Sequence, residues 1–379
     1  MKVGLRAFEY MAWAKAVQGT ARLDLTASGM ADTLGPHAEV DETMTEPWAD
    51  PLDPATLCRR DLRGDVADTF RRTVADRYGV TPGQVVPTLG ASLAITHVLL
   101  ALLRSGDHVV VERPTYEPLH RVPEILGADV SRLERKFDEK WAVVPDRLAR
   151  LLSSRTKVVI LSNLHNPSGV AIDRHALAAV TELAARVGAL VLVDEVYLDY
   201  AFDASDGATV LPACRVADNC ISWSSTTKCF GFSALRAGWI VAGNQTVANA
   251  IAKATDYLHV DAPISTLALG ERVLTQADNL QAHAAEVASA GRAVVERWLA
   301  SETRVRWVTP HAGLSCCLRL PDLMQDGPFV GHLREKYDTQ VVPGTFFEAP
   351  GFVRLGFGVD PDDLQEALHN FSAALDDLI

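Results

Sequence analysis

The sequence predicts an α/β fold, in which a helix-covered and largely parallel sheet is followed by a smaller α+β unit. Three observations predict it. Strand-length apolar runs recur between residues 84 and 243, and they are continuous rather than alternating, as suits strands buried on both faces. Segments of helical length separate several of them, the arrangement that gives parallel strands their crossovers. From about residue 265 the pattern changes to a long polar-apolar helix, short strands and a final helix.

The strands are expected at "QVVPT" (84–88), "HVVVE" (108–112), "KVVILSN" (157–163), "ALVLVDE" (189–195), "CISWSS" (220–225) and "GWIVAG" (238–243). Between them, "ASLAITHVLLALLRSGD" (91–107) reads as a helix stopped by Gly106 and Asp107. "DRHALAAVTELAARVG" (173–188) reads as a helix with Asp173 as N-cap and Gly188 as stop. Beyond 265, one helix is expected through Leu299, then strands at "RVRWV" and "GLSCCLRL" and a helix after Asp360. The segment Asp41 to Pro54, rich in Asp, Glu and Pro, reads as a surface crossover. A chain of 379 residues exceeds one core. The expected division is an N-terminal arm over 1–44 belonging to the small domain, a large domain over 45–264 and a small domain over 265–379.

With 36 basic and 48 acidic residues the net charge is −12, which argues against nucleic acid and anionic lipid as partners. No apolar run reaches membrane-spanning length, and Glu9 and Lys15 interrupt any signal-peptide core. A cytoplasmic protein with small-molecule partners is expected. The six cysteines, at 58, 214, 220, 229, 316 and 317, form no CxxC pair. They are expected to be buried free thiols, with no metal site.

In open α/β sheets ligands collect at the carboxyl ends of strands, and those ends are polar here. "PTLGAS" turns on Gly90 and starts a helix at Ala91 and Ser92, whose free N–H groups suit a phosphate. "ALVLVDEVY" ends on Asp194, with Tyr197 following; a buried carboxylate there needs a cation. "SNLHNPSG" delivers Asn163 and Asn166 past a strand end. Lys228 stands alone in "SWSSTTKCFGFSALRAGW" among Ser224, Ser225, Thr226 and Thr227, with Arg236 eight residues on. A lysine in a pocket can form an imine with a carbonyl, which is how proteins hold pyridoxal phosphate. Ser92, Ser225, Arg236 and the N–H groups near Ala91 would hold the phosphate. Asp194 would keep the ring nitrogen protonated, Asn166 and Tyr197 would bond the ring's phenolic oxygen, and Tyr116 in "ERPTYEPL" could stack on the ring.

These motifs resemble the class I/II aminotransferases, the fold type I family of pyridoxal-phosphate enzymes. The resemblance runs from about Thr81 to the C-terminus, through "GAS", "PTY", "NLHNPSG", "DEVY", "SxxK" with its arginine, and "VRLGFG". It implies a mostly parallel seven-stranded sheet and a homodimer with the site at the subunit boundary. It also implies Lys228 as Schiff-base lysine and proton carrier, Asp194 as ring-nitrogen partner, and Arg354 as the clamp for a substrate α-carboxylate.

The N-terminal third departs from the family. "DLTASGMADTL" replaces the usual Gly-x-Pro, and "LCRRDLRGDV" lacks the tyrosine that reaches the neighbouring subunit's phosphate, a role open to Arg59, Arg60 or Arg63 or to none of them. The arm, "FEYMAWAKAV" with "LDLTASGM", is similar to a branch that includes capreomycidine synthase and the arginine oxidase/hydroxylase enzymes. Met30 after Gly29 stands where the oxidases carry a histidine. Ser28 and Gly29, with Glu9 and Tyr10, are candidates for the substrate side; an amphipathic docking helix accounts equally for Phe8, Met11 and Trp13. The resemblance implies an enzyme acting on an L-α-amino acid, an aminotransferase first. An elimination or cyclisation enzyme of specialised metabolism is the alternative, and an oxidase or ligand-sensing regulator stands further off. Glu9 and Asp32 hint at a basic substrate.

Overall fold

A computed structural model describes residues 6–31, 63–201 and 210–379. After a short β1 (Leu23–Asp24), the apolar runs become β2 (Val85–Thr88), β3 (His108–Arg113), β4 (Asp129–Glu134), β5 (Thr156–Ser162), β6 (Leu190–Asp194), β7 (Cys220–Ser225) and β8 (Gly238–Ala242). These seven form one sheet in the order β2-β8-β7-β6-β5-β3-β4. The β3, β4, β5, β6 and β7 pairings are parallel, and β8 runs antiparallel to both β7 and β2.

The unbroken apolar runs follow from burial on two faces. Val109, Val111, Val158, Ile160, Leu192 and Ile240 pack on one side with Ile95, Val98, Leu99 and Ile251. Their neighbours Val110, Val159, Leu161, Val191 and Val193 pack on the other with Leu177, Val180 and Ala184. Side chains alternate along a strand, so every position is covered, at roughly 1.5–3 kcal/mol for each large apolar side chain.

The second sheet contains β9 (Arg306–Trp307), β10 (Ser315–Arg319), β12 (Val342–Pro343) and β13 (Phe352–Gly356), in the order β12-β13-β10-β9. The helices Ala277–Ser301, Asp326–Tyr337 and Pro361–Leu378 cover it through Val295, Phe329, Leu333, Leu364, Leu368 and Phe371. The arm joins this core: β1 pairs in parallel with β11 (Thr339–Gln340), and Leu23 and Leu25 are buried in it. Leu25 donates to the Gln340 carbonyl and accepts from the Gly356 N–H.

Asp173 caps its helix by accepting from the His175 and Ala176 N–H groups, and Gly188 takes the left-handed conformation that ends it. Three expectations are corrected. β4 was not foreseen, because a strand at the sheet's edge, paired among the described residues with β3 alone, keeps a polar, half-exposed sequence. The helix expected over 91–107 stops at Leu102, since Gly106 at φ 88° already belongs to the turn. The helix expected through Leu299 is two, Ile264–Thr275 and Ala277–Ser301, which meet at Gln276. The acidic crossover, Asp32, Cys58, Arg59, Arg60 and the Arg63 side chain lie outside the described residues. The five described cysteines are buried and free, and among the described residues no helix is long and apolar enough to cross a membrane.

Candidate active site

The strand order brings the foreseen residues to one edge. β2, β3, β5, β6 and β7 run the same way, so their carboxyl ends deliver Gly90, Tyr116, Asn166, Asp194 and Lys228 to the same side. β8 runs the other way and brings Arg236, just before its first residue, to that side as well.

Asp194 closes β6 opposite Ser162 of β5 and is 6% exposed. One carboxylate oxygen accepts the Val196 N–H at 3.2 Å. Among the described residues no arginine or lysine forms an ion pair with it, and burial pushes it up to about 7. A buried acid in this state is built to receive a cation.

Lys228 follows β7. Its Nζ donates to Ser28 Oγ at 3.2 Å, and Ser28 Oγ lies 2.8 Å from the Tyr197 hydroxyl. The arm presses directly on this lysine: Met30 N–H donates to the Lys228 carbonyl at 2.8 Å, as does the Tyr200 hydroxyl at 2.7 Å. A Cβ on Gly29 would sit 3.0 Å from Lys228 Cδ, so a side chain beside Ser28 would crowd the lysine. Ser28 and Gly29, foreseen on the substrate side, thus touch the lysine itself.

At the end of β2, Gly90 at φ 78° precedes the helix Ala91–Leu102. That helix presents Ala91 and Ser92 at an N-terminus with free N–H groups, which attracts anions. Arg236 lies over the turn: a Cβ on Gly90 would be 2.5 Å from its Nη2. Ser225 Oγ is engaged by the Thr227 N–H at 3.4 Å. Burial holds the Tyr116 phenol above its ordinary value.

Arg354 in β13 is 2% exposed, yet among the described residues no carboxylate pairs with it. Nη1 donates to Asn166 Oδ1 at 3.2 Å, and Nη2 donates to the Tyr10 hydroxyl at 2.8 Å and the Thr26 carbonyl at 2.9 Å. Among the described residues Nε has no partner, and the guanidinium faces the rings of Phe347 and Tyr10 at 4.9 and 5.4 Å. A buried cation satisfied only by neutral groups is an anion site.

Sequence reasoning missed the layer beneath. Glu112 and Arg135 form an ion pair at 2.8 Å with no exposure of either side chain, and Glu112 also takes the Ser162 hydroxyl. His165 bonds Ser168 Oγ at 2.6 Å and the Pro114 carbonyl at 2.9 Å, and burial keeps it well below the usual histidine range, hence neutral. Glu195 accepts the Ala213 N–H at 2.7 Å, and burial pushes it up to about 8. A charge at the end of an apolar run, as in "HVVVER", was the available signal.

Residues 58–371 match the family of class I and II aminotransferases. The chain belongs to the class I and II aminotransferases. Its sequence is 26% identical to an aspartate aminotransferase of Thermotoga maritima, over 96% of this chain and 94% of the relative. It is 29% identical to the capreomycidine synthase of Streptomyces vinaceus, over 86% and 85%. Among solved structures, the pyridoxal-phosphate-dependent cyclase OrfR superposes over all of both chains with a TM-score of 0.85 and 28% identity. Aminotransferases of this family typically use pyridoxal phosphate, and these relatives include both an aminotransferase and a cyclase. The donors present fit that group: a lysine amine contacted by a hydroxyl, a buried carboxyl without a cation, and a glycine-floored helix terminus under an arginine.

Proposed function

We propose that this aminotransferase-family enzyme binds pyridoxal phosphate and acts on an L-α-amino acid, with amino-group transfer as its reaction. The observation that carries the substrate reading is Arg354, a buried guanidinium with no carboxylate partner among the described residues. It suits an α-carboxylate gripped through two parallel N–H donors. Lys228 is joined to the same site by Ser28, and Arg354 by Asn166.

Pyridoxal phosphate, when bound, supplies a carbonyl for the imine and an electron-withdrawing ring that acidifies the substrate Cα–H. Gly90, Ala91, Ser92, Ser225 and Arg236 are the residues to hold its phosphate. Asp194 is the acid to hold a proton on the ring nitrogen, and the Tyr197 hydroxyl and Asn166 the groups to bond the phenolic oxygen. Tyr116 is the candidate to cover one ring face. Lys228 Nζ, once freed, is the base that takes the Cα proton and the acid that returns it. Ser28 Oγ orients that amine toward the Tyr197 side of the site. We infer a homodimer by family likeness.

A second reading, elimination or ring closure in specialised metabolism, is favoured by Ser28, which puts a hydroxyl between Lys228 and Tyr197 where the ordinary Gly-x-Pro is missing. Likeness to capreomycidine synthase supports it too. Absorption spectra of the loaded protein, recorded with single L-amino acids and no keto-acid acceptor, separate the two. Pyridoxamine phosphate with one equivalent of keto acid establishes transfer. Many equivalents of product with the aldehyde form regenerated establish elimination or ring closure. No spectral response to any amino acid refutes both.

A further inference from the structure

We propose that Tyr10, on the first helix of the arm, is a ligand of the substrate carboxylate alongside Arg354, so that this helix forms part of the amino-acid binding site. The proposal rests on the reading that Arg354 receives that carboxylate. A phenol can accept and donate at the same time. Tyr10 Oη accepts from Arg354 Nη2 at 2.8 Å, and among the described residues no acceptor takes its own proton. A carboxylate drawn to Arg354 lies beside that oxygen and takes the hydrogen bond. Burial raises the Tyr10 phenol, but the charges of Arg354 and Lys228 outweigh it and hold it below its ordinary value, which strengthens it as a donor.

The position of Tyr10 is built, not incidental. Its ring is packed by Phe347 at 5.6 Å, Phe346 at 5.9 Å and Trp13 at 6.4 Å, and meets Tyr116 edge-on at 6.3 Å. The helix Glu9–Val17 starts without a side-chain cap from its own N-cap residue. The carboxylate of Glu117 takes that place, accepting the Glu9 and Tyr10 N–H groups at 3.2 Å each, where a negative charge is favoured. Glu117 is 8% exposed and directly follows Tyr116, so the ring-stacking candidate and the carboxylate ligand hang on adjacent residues. Of the arm's foreseen candidates, Glu9 engages through its backbone; Tyr10 reaches the buried cation.

The test uses the pyridoxal-phosphate-loaded protein and 2-methylalanine, which has the amine and carboxylate of a substrate but no Cα hydrogen, with affinity read by calorimetry. Tyr10→Phe keeps the ring and removes the donor, and is expected to weaken binding about tenfold. Glu117→Gln, which touches no ligand, is expected to weaken it roughly threefold by loosening the helix start. With an amino acid that is turned over, KM rises by the same factors while kcat stays within about twofold, because the interaction is made equally in ground and transition states. If Tyr10→Phe binds as the parent does while Arg354→Ala abolishes binding, Tyr10 is only a wall and the proposal falls. If Arg354→Ala binds as the parent does, the carboxylate reading itself falls and takes the proposal with it.

Discussion

Replacing Asp194 by asparagine should stabilise the cofactor-free protein at alkaline pH and destabilise the loaded one. Asp194→Asn keeps the shape and an acceptor for the Val196 N–H but removes the ionisable group. Burial raises Asp194 from 3.8 to about 7, so between those values the folded protein holds a proton that the unfolded chain has released. Its contribution to stability is therefore complete below pH 3.8 and is lost as pH rises through about 7. The loss runs at about 1.4 kcal/mol per pH unit and totals about 4 kcal/mol. The variant has no such loss, so relative to the parent it gains that amount between pH 4 and pH 8. For 379 residues the unfolding entropy is about 0.8 kcal/mol per degree, which makes the gain about 5 °C in Tm. Scanning calorimetry of both apoproteins across that range measures it. Pyridoxal phosphate should reverse the order, because a protonated ring nitrogen compensates the parent's carboxylate and not the amide. A Tm difference that does not change with pH, or an order that survives loading, would refute the reasoning.

Gly90→Ala forces a left-handed φ on alanine and drives a methyl group toward Arg236; we expect about 1–2 kcal/mol lost stability and clearly weaker pyridoxal phosphate binding by titration of the apoprotein, and unchanged affinity would count against a phosphate seat there. Arg354→Lys keeps the charge and loses the two-pronged grip, so KM for the amino acid should rise roughly 30–100-fold; steady-state kinetics read it. Glu112→Ala leaves the fully buried Arg135 without its carboxylate, at a cost of about 3–5 kcal/mol. By calorimetry the midpoint should fall about 4–6 °C, and a fall under about 1 °C would mean that the pair is not the buried ion pair described.

What was legible in the sequence was what a local pattern can carry. The β5 and β6 runs announce themselves because covering on both faces leaves no room for polar alternation, and Asp194 and Lys228 stand out as charges where apolar runs end. β4 was invisible because at a partly exposed sheet edge Asp129, Ser131 and Arg132 replace the apolar signal. The break at Gln276 escaped notice because helical residues continue on both sides of it. The contacts that complete the site link positions far apart in the chain. Nothing near Ser28 says that it meets Lys228, 200 residues away, and nothing near Glu117 says that it caps the helix of Tyr10. The residue types in the arm were readable; which of them reached the buried cation was a matter of tertiary packing.

The grip of Arg354 on the arm has a consequence for how the protein is made. Tyr10 leaves the ribosome 344 residues before Arg354, which at about 5–20 residues per second is roughly 17–70 s of translation. Until β11 and β13 emerge at the end of that interval, Tyr10, Trp13, Leu23 and Leu25 lack their partners there, although by residue 242 every strand of the seven-stranded sheet has been synthesised. The first-made segment is thus among the last to find all its partners. A chain cut short before β13 would carry the lysine, the buried acid and the phosphate turn, and yet would leave Tyr10 without its guanidinium and Leu25 without the Gly356 N–H.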